Sequence, residues 1–144
     1  MAFINPPDTE IAALLNGART IALLGASANP SRDSHEVMAF LQRKGHRVIP
    51  VNPGLAGKDL LGEKVYGHLD EIPDRIDMVD VFRASEYLAG IVGECIAAKV
   101  PAIWTQLGVV DDLAGARAKD AGMVVVMNKC PKIEYPRLGI KGPA

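Results

Sequence analysis

The feature that most constrains this chain is a regular alternation between short apolar segments and segments with helical spacing of apolar residues. We predict five strands, at Thr20–Leu24, Arg47–Val51, Asp77–Phe82, Pro101–Trp104 and Met123–Met127. We predict four helices, which begin near Asp8, Ser34, Leu88 and Asp111. Strands that are apolar throughout, rather than alternating, are typical of a sheet covered on both faces. The order therefore predicts a parallel sheet between layers of helices.

Crossovers between parallel strands are right-handed, and this rule reduces the possible topologies to an α/β, Rossmann-like fold. We expect a doubly wound parallel sheet of about five strands with helices on both faces. Pro50 lies within the second strand, which favours an edge position or a local irregularity in that strand. Ser34 is the predicted cap of the second helix. With 144 residues the chain has the length of one domain, spanning residues 1–144.

Composition excludes several classes of function. Hydrophobic residues make up 49% of the chain, which is too many for a disordered protein. The net charge of −1 gives no sign of nucleic-acid or anionic-membrane binding. No apolar run approaches the ~20 residues of a transmembrane helix, and the N-terminus has no signal-peptide pattern. Together with the widely separated Cys95 and Cys130, this predicts a cytoplasmic protein.

In an open parallel sheet, ligands bind beyond the carboxyl ends of the strands. The residues at these positions are Gly25–Pro30, Asn52–Pro53, Arg83, Thr105–Gln106 and Asn128–Cys130. The first turn is the richest, because Gly25 lets backbone approach a ligand, Ser27 offers a hydroxyl and Arg32 adds charge. The helix that follows directs unpaired N–H groups toward the turn. This pattern favours a phosphate or pyrophosphate site, although an ordinary strand-to-helix turn has a similar composition.

A dinucleotide fingerprint is incomplete in this turn. The pattern G-x-G-x-x-G would need glycine where the chain has Ser27 and Pro30. The second strand ends in Val51–Pro53, without the carboxylate that usually holds an NAD ribose. An NADP-dependent reductase remains an alternative, because Arg32 could meet a phosphate. The serine elbow, the H-E-x-x-H pair and the P-loop are all absent from the sequence, so it assigns no catalytic residue.

Three further residues near the predicted strand ends have two interpretations each. Cys130, next to Lys129, is either a reactive thiol or a small buried residue. Trp104 either covers a ligand or fills the sheet edge. Glu134 follows the last strand, and an ion pair with Arg137 explains it more simply than acid–base chemistry.

Five blocks at the strand ends, taken together, resemble the small CoA-binding protein family. They are Gly25-Ala26-Ser27 with Pro30 and Arg32, Val51-Asn52-Pro53, Val79–Arg83, Trp104–Gly108 and Met127–Pro131. This family is similar to the N-terminal CoA-binding domain of the succinyl-CoA synthetase alpha subunit. The resemblance runs from about Leu14 to Leu138, and it implies coenzyme A or an acyl-CoA as ligand.

The resemblance also implies roles for individual residues. Those implied to hold the CoA phosphates are Gly25, Ala26, Ser27 and Arg32, in a turn that includes Pro30. Those implied to line the nucleotide side are Val51, Asn52 and Pro53. Those implied to flank the pantetheine path are Phe82 and Arg83, with Trp104, Gln106, Lys129 and Cys130 at the far end. The family usually has Asp-Arg where this chain has Asn128-Lys129, which removes a carboxylate and a guanidinium.

The related CoA ligases carry further domains, with a phosphorylated histidine and a nucleotide-grasping module. A chain of 144 residues has room for neither, so we expect CoA binding without catalysis by this chain alone. The alternatives are the reductase and an interaction module that docks on a larger acyl-CoA enzyme. A homodimer is a further expectation for a small apolar-rich domain. Cys130 is also a candidate for a mixed disulfide with the CoA thiol under oxidation.

Overall fold

The structure, a computed structural model, describes residues 3–143. The strands in chain order are β1 (Thr20–Leu24), β2 (Arg47–Val51), β3 (Asp59–Leu60), β4 (Glu63–Lys64), β5 (Met78–Val81), β6 (Ala102–Thr105) and β7 (Val124–Val126). The helices are α1 (Asp8–Gly17), α2 (Asp33–Arg43), α3 (Leu88–Ala97), α4 (Asp112–Asp120) and α5 (Pro131–Leu138). Short 3₁₀ turns lie at Pro53–Leu55, Leu69–Glu71 and Ser85–Tyr87.

The main sheet is parallel and has the strand order β2-β1-β5-β6-β7. From β1 the chain passes to β2 on one side, and later returns to β5 on the other side of β1. The strand order therefore reverses between β1 and β5, which is where open α/β sheets place ligands. Pro50 lies in β2 at the edge of this sheet, so the predicted edge position is confirmed.

Helices cover both faces of the sheet, and each face has its own core. On one face, α3 and α4 pack on the side chains represented by Ala22, Val79 and Ile103. On the other, α1, α2 and α5 pack on the alternate side chains, which include Leu23 and Trp104. The α/β, doubly wound, Rossmann-like architecture expected from the sequence is confirmed.

Two parts of the fold differ from the sequence expectation. The long connection after β2 contains the small antiparallel hairpin of β3 and β4, whose two-residue strands are too short to leave a periodic pattern. Helix α5 was not predicted, because its eight residues begin with Pro131 and include Pro136. Helix α2 begins at Asp33, two residues before the start that a cap at Ser34 implies, and Ser34 lies buried in its first turn rather than at the cap.

At the amino end of the sheet, a buried histidine ties α5 to the rest of the fold. His46 Nδ1 bonds to the Ala18 carbonyl at 2.6 Å, and its Nε2 pairs with the Tyr135 hydroxyl. The two bonds together assign the ring proton to Nδ1, so the tyrosine hydroxyl donates to Nε2. Burial lowers the pKa of His46 below its ordinary value.

In the part of the chain that the structure describes, no helix has the length and apolar character needed to cross a bilayer.

Candidate functional site

A polar cleft of about 570 Å³ opens at the carboxyl end of the sheet, at the reversal between β1 and β5. The turn after β1, the first residues of α2 and the residues after β5 form its walls. The lining residues are Gly25, Ala26, Ser27, Ser31, Arg32, Asp33, Ser34, Asn52, Phe82 and Arg83. Seven of the residues singled out from sequence thus lie around one opening: Gly25, Ala26, Ser27, Arg32, Asn52, Phe82 and Arg83.

Gly25 is required here by the protein's own backbone. Its φ of 90° lies in the left-handed region, which side chains other than glycine's rarely adopt. A Cβ at this position would lie 2.5 Å from the Phe82 carbonyl oxygen. The glycine therefore lets the turn after β1 pass close to the end of β5, and this packing brings Ser27 and Arg83 to the same cleft.

Hydrogen bonds within the turn hold it in one conformation. Ser27 Oγ accepts the Asn29 N–H at 3.1 Å, and Asn29 Oδ1 accepts the backbone N–H and the hydroxyl of Ser31. Asn52 Nδ2 donates to the Ala26 carbonyl at 2.8 Å, which fastens the turn to the end of β2. The hydroxyl proton of Ser27 stays available, because Oγ acts as the acceptor in its bond to Asn29.

The start of α2 presents an anion-binding surface to the cleft. Within residues 3–143 no side chain caps this helix, and its capping position is occupied by Arg32. The N–H groups of His35 and Glu36 bond to the Arg32 carbonyl, whereas those of Asp33 and Ser34 precede the first helical bonds. These N–H groups and the positive end of the helix dipole favour a phosphate. The Asp33 carboxylate also lines the cleft and opposes that preference.

Two guanidinium groups add positive charge to the opening. Arg32 is exposed, and Arg83 is half-buried with its guanidinium carbon 4.4 Å from the centre of the Tyr87 ring. Stacking on an aromatic ring restricts the side chain without using its N–H donors. Both arginines can therefore donate to an anion held at the start of α2.

A smaller pocket of about 220 Å³ continues the cleft between α2 and α5. It shares Asp33 with the cleft, and its other lining residues are Glu36, Val37, Gln106, Leu107, Cys130, Lys132 and Ile133. Lys132 and Glu36 pair across it at 3.6 Å. Gln106 and Cys130, two of the residues expected at the far end, thus lie together here.

The other predicted site residues lie elsewhere. Trp104 is fully buried, and its Nε1 donates to the Lys129 carbonyl at 2.8 Å. The expectation that the Trp104 ring closes the cleft is therefore corrected, because the ring is part of the core. Val51 is buried and contributes only its carbonyl, which accepts the N–H groups of Gly25 and Ala26. Pro30 and Pro53 are exposed beyond the residues that line either pocket.

The Asn128-Lys129 pair has a structural explanation. Asn128 has a φ of 61°, a left-handed conformation that asparagine tolerates better than most residues, and its Oδ1 accepts the Gly108 N–H at 2.8 Å. Lys129 lies 4.0 Å from the buried carboxylate of Glu134. The expected ion pair between Glu134 and Arg137 is confirmed at 2.5 Å.

Arg137 also reaches Asp8 of α1, so one guanidinium serves two carboxylates. Its hydrogen bonds to Asp8 hold the pKa of that carboxyl below its ordinary value. The cluster ties α1 to α5.

The sequence interpretation missed several residues of the site. The polar residues in the linings that were not singled out as ligand contacts are Ser31, Asp33, Ser34, Glu36 and Lys132, and the apolar ones are Val37, Leu107 and Ile133. Most lie in the first turn of α2 or α5. Their position just after a strand-end turn is a signal that would have found those of α2.

A buried acid lies beneath the site. Asp80 of β5 is fully buried, in register with Leu23 of β1 and Trp104 of β6. Among the described residues neither of its carboxylate oxygens has a hydrogen-bond partner. Burial raises the pKa of Asp80 to about 8, so the side chain is mostly protonated at neutral pH. The sequence pattern predicts only that Asp80 belongs to a strand.

Comparisons with known proteins agree with this geometry. The chain is 38% identical over 131 residues to the uncharacterized protein YneT of Bacillus subtilis, and the alignment covers 91% of this chain and 96% of that protein. A solved structure from Thermus thermophilus, cell-free ID.343, superposes with a TM-score of 0.88 at 37% identity, covering 92% of this chain and 99% of that one.

A longer relative is the alpha subunit of acetate–CoA ligase [ADP-forming] I from Pyrococcus furiosus. It is 30% identical over 90 residues, which are 60% of this chain and only 19% of that subunit. The similarity to the CoA-binding domains of acyl-CoA synthetases of the succinyl-CoA synthetase type, expected from the strand-end blocks, is therefore confirmed.

The family model described as CoA binding domain matches residues 19–136, which include every strand of the main sheet and the residues of both pockets from Gly25 to Ile133. The chain therefore belongs to the CoA binding domain family.

Proposed function

We propose that this protein binds coenzyme A or an acyl-CoA in the cleft and the smaller pocket, with the phosphates at the start of α2. The observation that carries this is the uncapped first turn of α2. Its free N–H groups, Ser27 and Arg32 surround one opening at the point where strand order reverses. A phosphorylated ligand satisfies these donors and offsets the two guanidinium charges.

The proposal assigns the remaining parts of the ligand by their chemistry. The nucleotide lies on the side of Asn52, where the end of β2 borders the cleft. The pantetheine arm runs past the half-buried Phe82 toward Gln106 and Cys130 in the smaller pocket. Support for this direction comes from Asp33, which lines both openings and therefore places them next to each other.

We further propose that the chain is a single CoA-binding domain of the cytoplasm that does not catalyse a ligase reaction alone. The ligase subunit that it resembles is much longer, since the aligned part is 19% of that subunit. A partner, either a second copy or a larger acyl-CoA enzyme, would supply any further chemistry. The two free thiols of the chain are compatible with a reducing compartment.

Isothermal titration calorimetry with CoA, NADP and NAD tests the ligand. We expect CoA or acetyl-CoA to bind and to raise the melting temperature, with NADP and NAD weaker. Binding of NADP without binding of CoA would refute the proposal and favour the reductase.

A pair of arginine variants tests the position of the phosphates. Arg32 makes no ion pair with any residue between 3 and 143, so its removal changes the charge of the cleft without breaking an ion pair among these residues. We expect Arg32→Ala to lower the affinity for CoA by about tenfold or more, because the variant loses a charge-assisted hydrogen bond to a phosphate. The control Arg43→Ala removes the same charge at the opposite end of α2 and should bind CoA like the wild type. Equal affinities for the two variants would contradict the assignment.

A further inference from the structure

One residue that lines the smaller pocket, Gln106, has a side-chain oxygen without a partner in the described protein. Gln106 is 8% exposed, and its Oε1 is buried without a hydrogen-bond partner among the residues that the structure describes. Buried side-chain oxygens of this kind almost always have a partner. Gln106 lines the pocket, and its side-chain amide suits a ligand that carries an amide group of its own.

The rest of the pocket restricts what this ligand can be. Val37, Leu107 and Ile133 contribute apolar wall, and the Lys132–Glu36 pair crosses between the two helices. These features suit a slender, mainly aliphatic chain that contains an amide. The pantetheine arm of CoA is such a chain, with two amide N–H groups and a terminal thiol.

Cys130 shares this pocket with Gln106. It is a free cysteine at the capping position of α5, 7% exposed. A chain whose amide reaches Gln106 would therefore bring its sulfur to the same small space as the Cys130 thiol.

We propose that Cys130 is a site of reversible mixed-disulfide formation with CoA, by exchange with CoA disulfide bound at this site. The inference rests on the proposed CoA-binding function and adds a covalent state to it. The co-reactant is CoA disulfide. The Cys130 sulfur, as thiolate, attacks one sulfur of that disulfide; the Cys130–CoA bond forms, the original S–S bond breaks, and the released CoA thiolate takes up the proton that Cys130 lost. One reduced CoA is produced for each adduct, and no further oxidant is consumed.

Cys95 provides an internal control. It is fully buried in α3, in the core on the opposite face of the sheet, and burial raises the pKa of its thiol to about 12. A thiol that is neither accessible nor ionised does not exchange with disulfides. Any adduct should therefore form at Cys130.

Intact-mass spectrometry after incubation with CoA disulfide tests the inference. We expect the wild type and Cys95→Ala to gain one CoA moiety that reductant removes, and Cys130→Ser to gain none. An adduct that persists in Cys130→Ser would overturn the assignment.

The rate at which Cys130 reacts with a second disulfide distinguishes a site that recognises CoA from a thiol that is merely exposed. Pantethine, the disulfide of pantetheine, lacks the nucleotide phosphates. We expect CoA disulfide to react at least about tenfold faster, the factor that 1.4 kcal/mol of phosphate recognition produces. Equal rates would mean that the pocket does not select CoA, and would overturn the inference.

The variant Gln106→Met keeps the side-chain volume and removes the side-chain amide. We expect exchange with both pantetheine-containing disulfides to slow severalfold, whereas alkylation of Cys130 by iodoacetamide stays at the wild-type rate. A parallel change in both rates would show that Gln106 acts only through packing.

The calorimetric result for reduced CoA distinguishes the two possible failures. If the wild type binds CoA but gains no adduct, the inference fails and the proposed function stands. If it does not bind CoA, and CoA disulfide has no advantage over pantethine, both fail.

Discussion

Asp80→Asn is the substitution that most directly tests the physical description of the core. The wild-type carboxyl is fully buried in the sheet without a partner among the described residues, and burial raises its pKa from 3.8 to about 8. The asparagine has nearly the same shape and does not ionise. The two chains therefore differ mainly in whether a buried charge can form.

The pKa of Asp80 sets the size and the sign of the effect. Between about pH 4 and pH 8 the folded chain keeps a proton that the unfolded chain has lost. The free energy of unfolding therefore falls as pH rises, by about 1.4 kcal/mol per pH unit, and by about 6 kcal/mol over the whole range. This loss is comparable to the stability of many small domains, about 5–15 kcal/mol.

Urea denaturation at a series of pH values measures this contribution. From pH 5.5 to pH 8.5 we expect the stability of Asp80→Asn to rise relative to the wild type by about 3 kcal/mol. The control Asp70→Asn removes an exposed carboxylate and should follow the wild-type curve. Parallel curves for the wild type and Asp80→Asn would refute the conclusion that Asp80 is a neutral acid in the fold.

Four other substitutions, with Gly57→Ala as a control, test features of the backbone and core. Gly25→Ala should destabilise the protein by about 2–4 kcal/mol in urea melts, since it adds a clash to an unfavourable φ, whereas Gly57→Ala, with open space around it, should cost about 1 kcal/mol. Tyr135→Phe should cost about 1–3 kcal/mol by leaving the nitrogen of His46 unpaired. Because burial lowers the pKa of His46, this ring should contribute a loss of stability as pH falls below about 6.5, opposite in sign to the contribution of Asp80, and His46→Gln should remove the His46 contribution. Asn128→Ala should lower the melting temperature, as it loses both a left-handed preference and a side-chain bond; an unchanged melting curve would contradict that role.

Much of the fold follows from local sequence patterns. Continuous apolar segments predict buried parallel strands, and helical spacing predicts the helices between them. Pro50 even indicates the edge strand, because proline lacks the N–H that a central strand must donate. Elements that are too short or interrupted by proline, such as the β3–β4 hairpin and α5, leave no comparable pattern.

The candidate site was predictable in part. The position of Ser27 and Arg32 after the first strand follows from chain order, because parallel strands all end at the same edge of the sheet. Chain order does not predict whether a residue at the end of a strand faces the cleft or the core. Trp104 and Gln106 are two residues apart, yet the first is a core residue and the second lines a pocket.

The sequence by itself determined the architecture and the family of this protein, because apolar periodicity and the strand-end blocks are encoded locally along the chain. Only the tertiary structure decided that Gly25 faces the Phe82 carbonyl, that Asp80 is an uncompensated acid and that Cys130 shares a pocket with Gln106. Each of these depends on which distant segments pack together. Solvation, charge and steric room at a residue are set by those neighbours and not by the residue itself.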